Sequence, residues 1–432
     1  MAAAEGDAEG GAARRAAGVG ARATECSTPA LLLDVSAFER NCALLAGRVR
    51  AVAGTEAAVA VRAHGKAHKA AACVTAQLAA LSEAGCEVAG VCAQTVSEAE
   101  EFAKAGSEEH PIDMLVSNQT VGAGKIARLA ALAADPRVTL SACFDDAENA
   151  AAVGAAVASA GGECAAVVEV DVGQHRCGVA DAQQAAELAE RLAMGDMPGL
   201  SFKGLQCYHG GIQHVRALED RRVAAEEAHA KAKAAIDAVR ARGIRCDYIT
   251  GGGSGTFEFE LASGLYTELQ PGSYFFMDLD YGANEWPAAT GGDDADEAAA
   301  ALSARPEQAM WVLSTVISAQ GANDWVVVDA GAKAVNTDCG PPAVCRAPAA
   351  RPAGAGAEEE SGGGLCYQCA GDEHGIVSLA ERAAGQLPKL GDKLWLAPSH
   401  VDPTTNAHGN WIVYRDGDVC AVWPVGARGP GL

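Results

Sequence analysis

Residues 88–105 read VAGVCAQTVSEAEEFAKA and contain one strand followed by one helix. The apolar run Val88–Cys92 predicts a short buried strand. The capping box Thr95-x-x-Glu98 then predicts the start of a helix over Ser97–Ala105. A strand that passes directly into an amphipathic helix is one unit of a parallel α/β fold.

The same alternation of a strand-like run with an alanine-rich helical stretch recurs along much of the chain. Eight strand-like runs lie at residues 57–62, 88–92, 112–116, 138–143, 165–171, 202–207, 245–250 and 267–270. Parallel strands need helical crossovers, and eight such units in about 250 residues fit a closed barrel without sheet edges. The sequence therefore predicts an α/β fold with a (β/α)8 TIM barrel, whose catalytic side chains lie at the carboxyl ends of the strands.

After about residue 305 the strand-like runs follow one another without helical crossovers. The last two flank Asp416-Gly417, a pair typical of a β-hairpin turn. These runs predict a second, antiparallel β domain. The predicted divisions are a disordered segment over 1–26, a barrel over 27–285, a β domain over 305–432, and Ala/Gly-rich acidic surface insertions over 287–304 and 346–364.

The charge of the chain limits its partners. Its 432 residues include 33 Lys and Arg against 56 Asp and Glu, which gives a net charge of −23. This sign disfavours nucleic acid and anionic lipid, and no apolar stretch is long enough to span a membrane. The 15 scattered Cys residues fit a reducing compartment. We therefore expect a cytoplasmic protein, with organellar import left open by Arg14, Arg15 and Arg22.

A lysine among basic residues follows the first barrel strand, in the run VRAHGKAHK at residues 61–69. The run contains two amines, Lys66 and Lys69. Basic neighbours and partial burial lower the pKa of an amine, which a Schiff-base lysine needs in order to react near neutrality. The run fits either such a nucleophile or a solvated basic turn.

Two further motifs follow later strands of the barrel. Arg176 lies in DVGQHRCG, residues 171–178, just beyond the fifth strand. The seventh strand is followed by GGGSGT, residues 251–256. The backbone amides and hydroxyl groups of this loop lie where barrels commonly bind phosphate. The loop is therefore a predicted phosphate site.

The β domain contains a third candidate site, in PSHVDPT at residues 398–404. His400 and Asp402 flank one residue, so an extended segment would place both side chains on one face. Imidazole and carboxylate suit Mn²⁺, Mg²⁺ or Zn²⁺ and leave positions for water or substrate. An H-x-D pair is also common by chance, so the pair alone leaves the metal open.

Seven motifs, taken in order, resemble a known superfamily. They are TPALLLD at 28–34, VRAHGKAHK at 61–69, DVGQHRCG at 171–178, GGGSGT at 251–256, QPGSY at 270–274, GDEHG at 371–375 and HVDPT at 400–404. The set resembles the fold-type III pyridoxal-phosphate proteins of the alanine racemase N-terminal superfamily, in particular the group of D-threonine aldolase and D-serine dehydratase. The resemblance implies pyridoxal phosphate as cofactor, and a homodimer in which each barrel faces the partner's β domain.

The resemblance implies a role for individual residues of this chain. Lys66, rather than Lys69, would form the Schiff base, and Arg176 would face the pyridine nitrogen. Tyr274 would add a hydroxyl donor to the phosphate on the glycine loop. The implied cofactor-binding residues are Lys66, Arg176, Tyr208, Gly252, Gly253, Ser254, Thr256 and Tyr274. His400 and Asp402 match the metal pair, and aspartate rather than cysteine at 402 is typical of the aldolases.

These parts suggest a retro-aldol reaction on D-3-hydroxy amino acids such as D-threonine. A guanidinium opposite the ring nitrogen cannot accept a proton, so the cofactor is a weaker electron sink and a metal at the β-hydroxyl becomes useful. His214 is the first candidate for the base, followed by Asp372 and His209. Three alternatives remain open: a dehydratase-type ammonia-lyase acting on D-serine or D-3-hydroxyaspartate, an amino-acid racemase, and a non-catalytic pyridoxal-phosphate-binding protein of vitamin B6 homeostasis.

Overall fold

The computed structural model describes residues 18–53, 59–286, 304–348, 364–380 and 385–431. The two predicted insertions, 287–304 and 346–364, fall almost entirely outside the described residues. Residues 18–26 belong to the described part of the chain and contact the β domain. Ala23 and Cys26 are buried, and the N–H of Gly20 donates to the Val419 carbonyl. The disorder predicted for 1–26 therefore does not hold for 18–26, and residues 1–17 lie outside the described ranges.

Eight parallel strands close into the predicted barrel, with pairing in chain order. The chain begins with β1 (Ala30–Asp34) and α1 (Val35–Ala53), and the barrel strands are β2 (Ala60–His64), β3 (Val88–Ala93), β4 (Ile112–Val116), β5 (Val138–Phe144), β6 (Cys164–Glu169), β7 (Leu200–Cys207), β8 (Tyr248–Gly251) and β9 (Glu268–Leu269). The helices are α2 (Ala71–Glu83), α3 (Val96–Phe102), α4 (Ala123–Ala133), α5 (Ala147–Ser159), α6 (Ala182–Ala193), α7 (Leu218–Ala241), α8 (Phe257–Ser263) and α9 (Leu279–Gly282). The predicted fold class is confirmed.

A buried polar network fills part of the barrel interior. The Arg62 guanidinium donates to Glu268 at 2.8 Å and to the Asp113 side chain at 2.9 Å. Tyr248 and Thr250 donate hydroxyl bonds to the same Glu268 oxygen. Arg62 and Glu268 are almost fully buried, so each charge depends on the other for compensation. The network joins β2, β4, β8 and β9 inside the barrel.

Within the described ranges, the second sheet contains nine strands. Its further elements are β10 (Met310–Ala319), β11 (Trp325–Val328), β12 (Ala343–Cys345), β13 (Leu365–Cys369), β14 (Gly375–Leu379), β15 (Lys393–Ala397), α10 (Val401–Ala407), β16 (Asn410–Arg415) and β17 (Asp418–Pro424). The predicted hairpin joins β16 to β17 at Asp416 and Gly417, both with positive φ, which explains the Asp-Gly pair.

Strand β1 lies in this second sheet and not in the barrel. It pairs antiparallel with β10 and parallel with β16. The range 27–285 given to the barrel therefore includes a strand that the β domain uses, because the apolar run Leu31–Leu33 is buried within that sheet. Among the described residues, no helix has the length and apolar character needed to cross a bilayer.

Candidate active site

The carboxyl end of β2 passes directly into a turn, Gly65–Ala67, that carries Lys66. The turn crosses Phe102 so closely that a Cβ on Gly65 would lie 2.4 Å from the ring, which explains the glycine. The Lys66 amine lies 3.6 Å from Asp402 Oδ2 at the start of α10. The predicted cofactor lysine and one predicted metal ligand, which come from different domains, therefore meet in space.

The charges around Lys66 differ from the prediction. Burial lowers the pKa of Lys66, but Asp402, together with weaker contributions from neighbouring groups such as Tyr208 and Glu98, outweighs it, so the pKa is raised. His68 does not add a positive charge, because burial lowers the pKa of its imidazole to about 3. Lys69 pairs with Glu98 at 2.7 Å. The predicted lowering of the Lys66 pKa by basic neighbours is therefore wrong.

The β domain holds three successive backbone carbonyls of the lysine turn, a set of contacts that we call the carbonyl clamp. Its hydrogen bonds run from Thr405 Oγ1 to Ala67 at 2.8 Å, from Trp411 Nε1 to His68 at 3.0 Å, and from the Ala427 N–H to Lys69 at 3.2 Å. The Thr405 and Trp411 side chains are buried. The turn that carries Lys66 at the end of a barrel strand is thus held by the β domain.

His400 and Asp402 flank the start of α10. His400 caps the helix with extended backbone, whereas Asp402 lies in the first helical turn. The prediction that both lie on one extended segment is therefore wrong. The Val401 N–H between them donates to Asp278 Oδ2 at 3.0 Å, which ties this helix start to the end of the barrel. Asp402 Oδ1 is buried and has no hydrogen-bond partner among the residues described.

Two residues that were not predicted lie against His400. Its Nδ1 is 2.9 Å from Asp338 Oδ2 and 3.8 Å from Cys339 Sγ. One ligand atom of each of the three residues lies within 4.8 Å of the others. Asp338 and Cys339 belong to none of the recognised motifs, and no sequence spacing relates them to His400. Only the packing of the β domain reveals them.

His214 lies in the same cluster. Its Nδ1 is 2.8 Å from Asp280 Oδ2, and its ring is 4.4 Å from that of Tyr281. Burial raises the pKa of Asp280, but contacts with His214 and Arg216 outweigh it and hold that pKa well below its usual range. Burial, together with Asp280, also raises the pKa of Cys339. Asp280 therefore links the His214 side of the cluster to the His400 side.

The other two candidate bases have different surroundings. His209 lies beside Gly173, and burial lowers the pKa of its imidazole although Asp171 opposes that effect. Asp372 lies in the turn between β13 and β14, with a 67% exposed side chain 3.3 Å from Lys333. No contact found among the described residues joins Asp372 to Lys66 or Asp402. The structure thus does not bring Asp372 into the site of its own chain.

The glycine loop after β8 is built around Gln213, which sequence reasoning missed. Gln213 Nε2 donates to Thr256 Oγ1 at 2.8 Å, and Gln213 Oε1 accepts from the Gly255 N–H at 3.0 Å. A Cβ on Gly253 would lie 2.4 Å from the same amide oxygen. Ser254 and Thr256 are buried within the loop. Its place in YHGGIQH, one residue before His214, was the available signal.

The predicted role of Tyr274 as a hydroxyl donor to the phosphate stays a prediction. Its ring is buried against Phe257 and Trp286. Burial raises the pKa of its hydroxyl, Arg48 lowers that pKa and Glu258 raises it. The Tyr274 backbone N–H, rather than the hydroxyl, reaches the loop and donates to Ser254 at 3.0 Å. The ring packs against Phe257, the first residue of α8, with the ring centres 5.4 Å apart.

Arg176 and Tyr208 form a stacked pair. The guanidinium carbon lies 5.8 Å from the centre of the phenol ring. Arg176 is exposed. Burial raises the pKa of Glu169 at the end of β6, and the charge of Arg176 partly opposes that rise. The two residues therefore adjoin each other across the ends of β6 and β7, and their cofactor roles stay predictions.

Comparisons with known proteins agree with this fold. The family model of the alanine racemase N-terminal domain matches residues 33–280, and that of the serine dehydratase domain matches residues 309–414. A D-threonine aldolase of Arthrobacter sp. is 42% identical over 93% of this chain and 93% of its own. A 3-hydroxy-D-aspartate aldolase of Paracoccus denitrificans (strain Pd 1222) is 38% identical over 94% of each chain.

The crystal structure of D-threonine aldolase from Filomicrobium marinum has a TM-score of 0.80 and 36% identity to this chain. The match covers 96% of this chain and 99% of that one. The resemblance inferred from the seven motifs is thereby confirmed, and the protein is an enzyme. The chain belongs to the alanine racemase N-terminal domain family and, within it, to the group of lyases that contains D-threonine aldolase.

Proposed function

We propose that this enzyme is a pyridoxal-phosphate- and divalent-metal-dependent aldolase that cleaves D-threonine and related D-3-hydroxy amino acids to glycine and an aldehyde. The observation that carries the proposal is the 3.6 Å distance from Lys66 Nζ to Asp402 Oδ2. It brings the amine of the barrel and a carboxylate of the β domain within reach of one small molecule. The identity to D-threonine aldolase supports this substrate class.

The residues present fit pyridoxal phosphate. Lys66 would hold the cofactor's aldehyde carbon, because it is the amine that reaches the domain junction. The glycine loop would hold the phosphate, because Ser254 and Thr256 offer hydroxyl groups and Gly253 has no side chain to obstruct the backbone amides. Arg176 would lie beside the ring nitrogen. The hydroxyl groups and backbone amides can donate hydrogen bonds to an anionic phosphate, and the lysine amine can react with an aldehyde.

The residues also fit a divalent cation. Asp402 Oδ1 is a buried oxygen without a hydrogen-bond partner among the described residues, which is a costly arrangement unless a cation uses it. His400 adds an imidazole on the preceding turn. Carboxylate and imidazole suit Mn²⁺ or Mg²⁺ and also accommodate Zn²⁺. His400 and Asp402 would hold the metal and leave positions for the substrate hydroxyl.

Bound pyridoxal phosphate supplies an electron sink at Cα, and a bound metal lowers the pKa of a coordinated hydroxyl. His214 is the proposed base for the β-hydroxyl proton. Asp280 lies 2.8 Å from its Nδ1, so Nε2 would be the ring nitrogen that takes the proton. Because Asp280 stays anionic, it stabilises the imidazolium that forms when His214 takes the proton. His209 is the second candidate.

The dehydratase is the second candidate function. The same metal position would activate hydroxide as a leaving group, but aspartate at 402 and the two aldolase relatives favour carbon–carbon cleavage. A racemase would need a second base on the opposite face of the cofactor. A homeostasis protein would not need the β domain with His400. The homodimer and the cytoplasmic location remain predictions.

The decisive experiment incubates the purified chain with pyridoxal phosphate and Mn²⁺, together with D-threonine or L-threonine. Acetaldehyde and glycine from the D isomer alone support the proposal. Formation of 2-oxobutanoate and ammonia would establish the dehydratase, and inversion at Cα the racemase. Lys66→Ala should abolish the visible absorbance of bound cofactor. Asp402→Ala should keep that absorbance and lose the metal-dependent activity, whereas Asp418→Ala, which removes an exposed carboxylate paired with Arg22, should keep both.

A further inference from the structure

His400 has two ring nitrogens, and one of them, Nδ1, faces Asp338. Nδ1 lies 2.9 Å from Asp338 Oδ2. Two donors at about 2.0–2.1 Å from one tetrahedral ion lie about 3.3 Å apart, whereas an N–H to carboxylate bond is about 2.7–2.9 Å long. The distance therefore fits a hydrogen bond. With Nδ1 facing this carboxylate, Nε2 is the ring nitrogen that remains for a second partner.

The turn that carries Asp338 is fastened to the strand end and helix that carry the metal pair. Ser399 Oγ donates to the Gly340 carbonyl at 2.7 Å. The Asn336 N–H donates to Thr404 Oγ1 at 3.2 Å, and the Asp338 N–H donates to the Asn336 side chain at 2.8 Å. Asp338 is half exposed, but these bonds fix its backbone from both sides. It is therefore placed to orient the imidazole.

We propose that Asp338 is a positioning residue that directs Nε2 of His400 to the metal held with Asp402. The inference rests on the proposed function, because it concerns the same cation. Asp338 does two things: it fixes the tautomer and rotation of the ring, and its negative charge makes the imidazole a stronger ligand. Loss of such a partner typically weakens metal binding about 10- to 100-fold.

Cys339 offers the competing arrangement. Its Sγ lies 3.8 Å from His400 Nδ1, so Asp338, Cys339 and His400 could together be ligands on the Nδ1 side. The two arrangements predict different coordination shells. A ligand set with Cys339 gives a zinc–sulfur distance of about 2.3 Å, whereas ligation through Nε2 and carboxylate gives only nitrogen and oxygen at about 2.0–2.2 Å. The Nδ1–Oδ2 distance favours the second arrangement.

The test measures Mn²⁺ binding to the full chain by electron paramagnetic resonance, with pyridoxal phosphate bound and no substrate. Asp338→Ala should raise the Mn²⁺ dissociation constant about 10- to 100-fold and leave the cofactor absorbance unchanged. Asp338→Asn should restore most of the affinity, because its amide oxygen accepts the same hydrogen bond. Asp418→Ala, the matched control on the same domain, should bind Mn²⁺ like the unmodified chain.

Three results would overturn the proposal. Asp338→Ala could bind Mn²⁺ as tightly as the unmodified chain. Asp338→Asn could bind as weakly as Asp338→Ala, which would show that the hydrogen bond to Nδ1 does not account for the affinity. X-ray absorption of the zinc-loaded chain could show a sulfur shell that Cys339→Ser removes. Failure of the proposed function is distinguishable, since it appears as absence of glycine from D-threonine while the order of Mn²⁺ affinities stays as predicted.

Discussion

Substitution of Thr405 by valine tests whether the β domain positions the cofactor lysine. The Thr405 hydroxyl donates to the Ala67 carbonyl at 2.8 Å, and both residues are fully buried. Valine has nearly the same shape, so the change removes the hydrogen bond without opening a large cavity. A buried carbonyl left without its partner costs about 1–3 kcal/mol, which corresponds to about 5- to 150-fold in an equilibrium constant. Ala67 directly follows Lys66 in the chain.

Thr404→Val is the matched control. Thr404 is also fully buried, but its hydroxyl accepts from the Asn336 N–H at 3.2 Å, away from the lysine turn. Both variants should lose about 1–3 kcal/mol of unfolding free energy in urea titrations. Only Thr405→Val should also speed amide hydrogen exchange in a peptide spanning 65–70 and weaken the binding of pyridoxal phosphate, measured without metal. Equal cofactor affinity in the two variants, or a loss below about 0.5 kcal/mol for Thr405→Val, would refute the reasoning.

Three further outcomes follow from the structure. Glu268→Gln should lower the unfolding free energy by about 3–5 kcal/mol in urea titrations, because it leaves Arg62 buried without its closest counter-charge; an unchanged midpoint would contradict this. Gly253→Ala should weaken pyridoxal phosphate binding about 5- to 150-fold in a fluorescence titration, since its Cβ would lie 2.4 Å from the Gln213 amide oxygen and overpacking costs about 1–3 kcal/mol. His68 is buried with a pKa of about 3 against an ordinary 6.5, so it stabilises the fold above pH 6.5 and loses that contribution as the pH falls towards 3. Between pH 7 and pH 5 this loss should be about 2 kcal/mol, and His68→Gln should remove that part of the pH dependence in urea titrations; an unchanged slope would show that His68 is not its source.

The barrel could be predicted from the sequence because each of its strands is followed by its own helix. Thr95 and Glu98 show how local the signal is: the Glu98 N–H donates to Thr95 Oγ1 at 3.2 Å, and the helix starts at Val96, one residue before the predicted start. Strand β1 could not be assigned in this way. Leu31–Leu33 is an apolar run with no polar alternation, so its pattern is the same for a barrel strand and for a strand inside the second sheet.

The candidate site also contains residues that the sequence could predict and residues that it could not. Lys66 and Asp402 were predictable because each lies in a short motif with its own chemistry. Asp338 and Gln213 were not, since a carboxylate or amide that orients another side chain has no sequence signature of its own. For Tyr274 the motif gives the position of the backbone, whereas the direction of the ring depends on its packing against Phe257 of α8.

The pairing of β1 with β16 has a consequence for the order in which the protein is synthesised. Leu31 and its partner Trp411 lie far apart in the chain, so β1 is synthesised long before β16. At about 5–20 residues per second, the apolar strand β1 waits about 20–75 s for this partner. A chain that stops before residue 410 therefore leaves β1 without its parallel partner and keeps only the Thr405 bond of the carbonyl clamp, because Trp411 and Ala427 are missing.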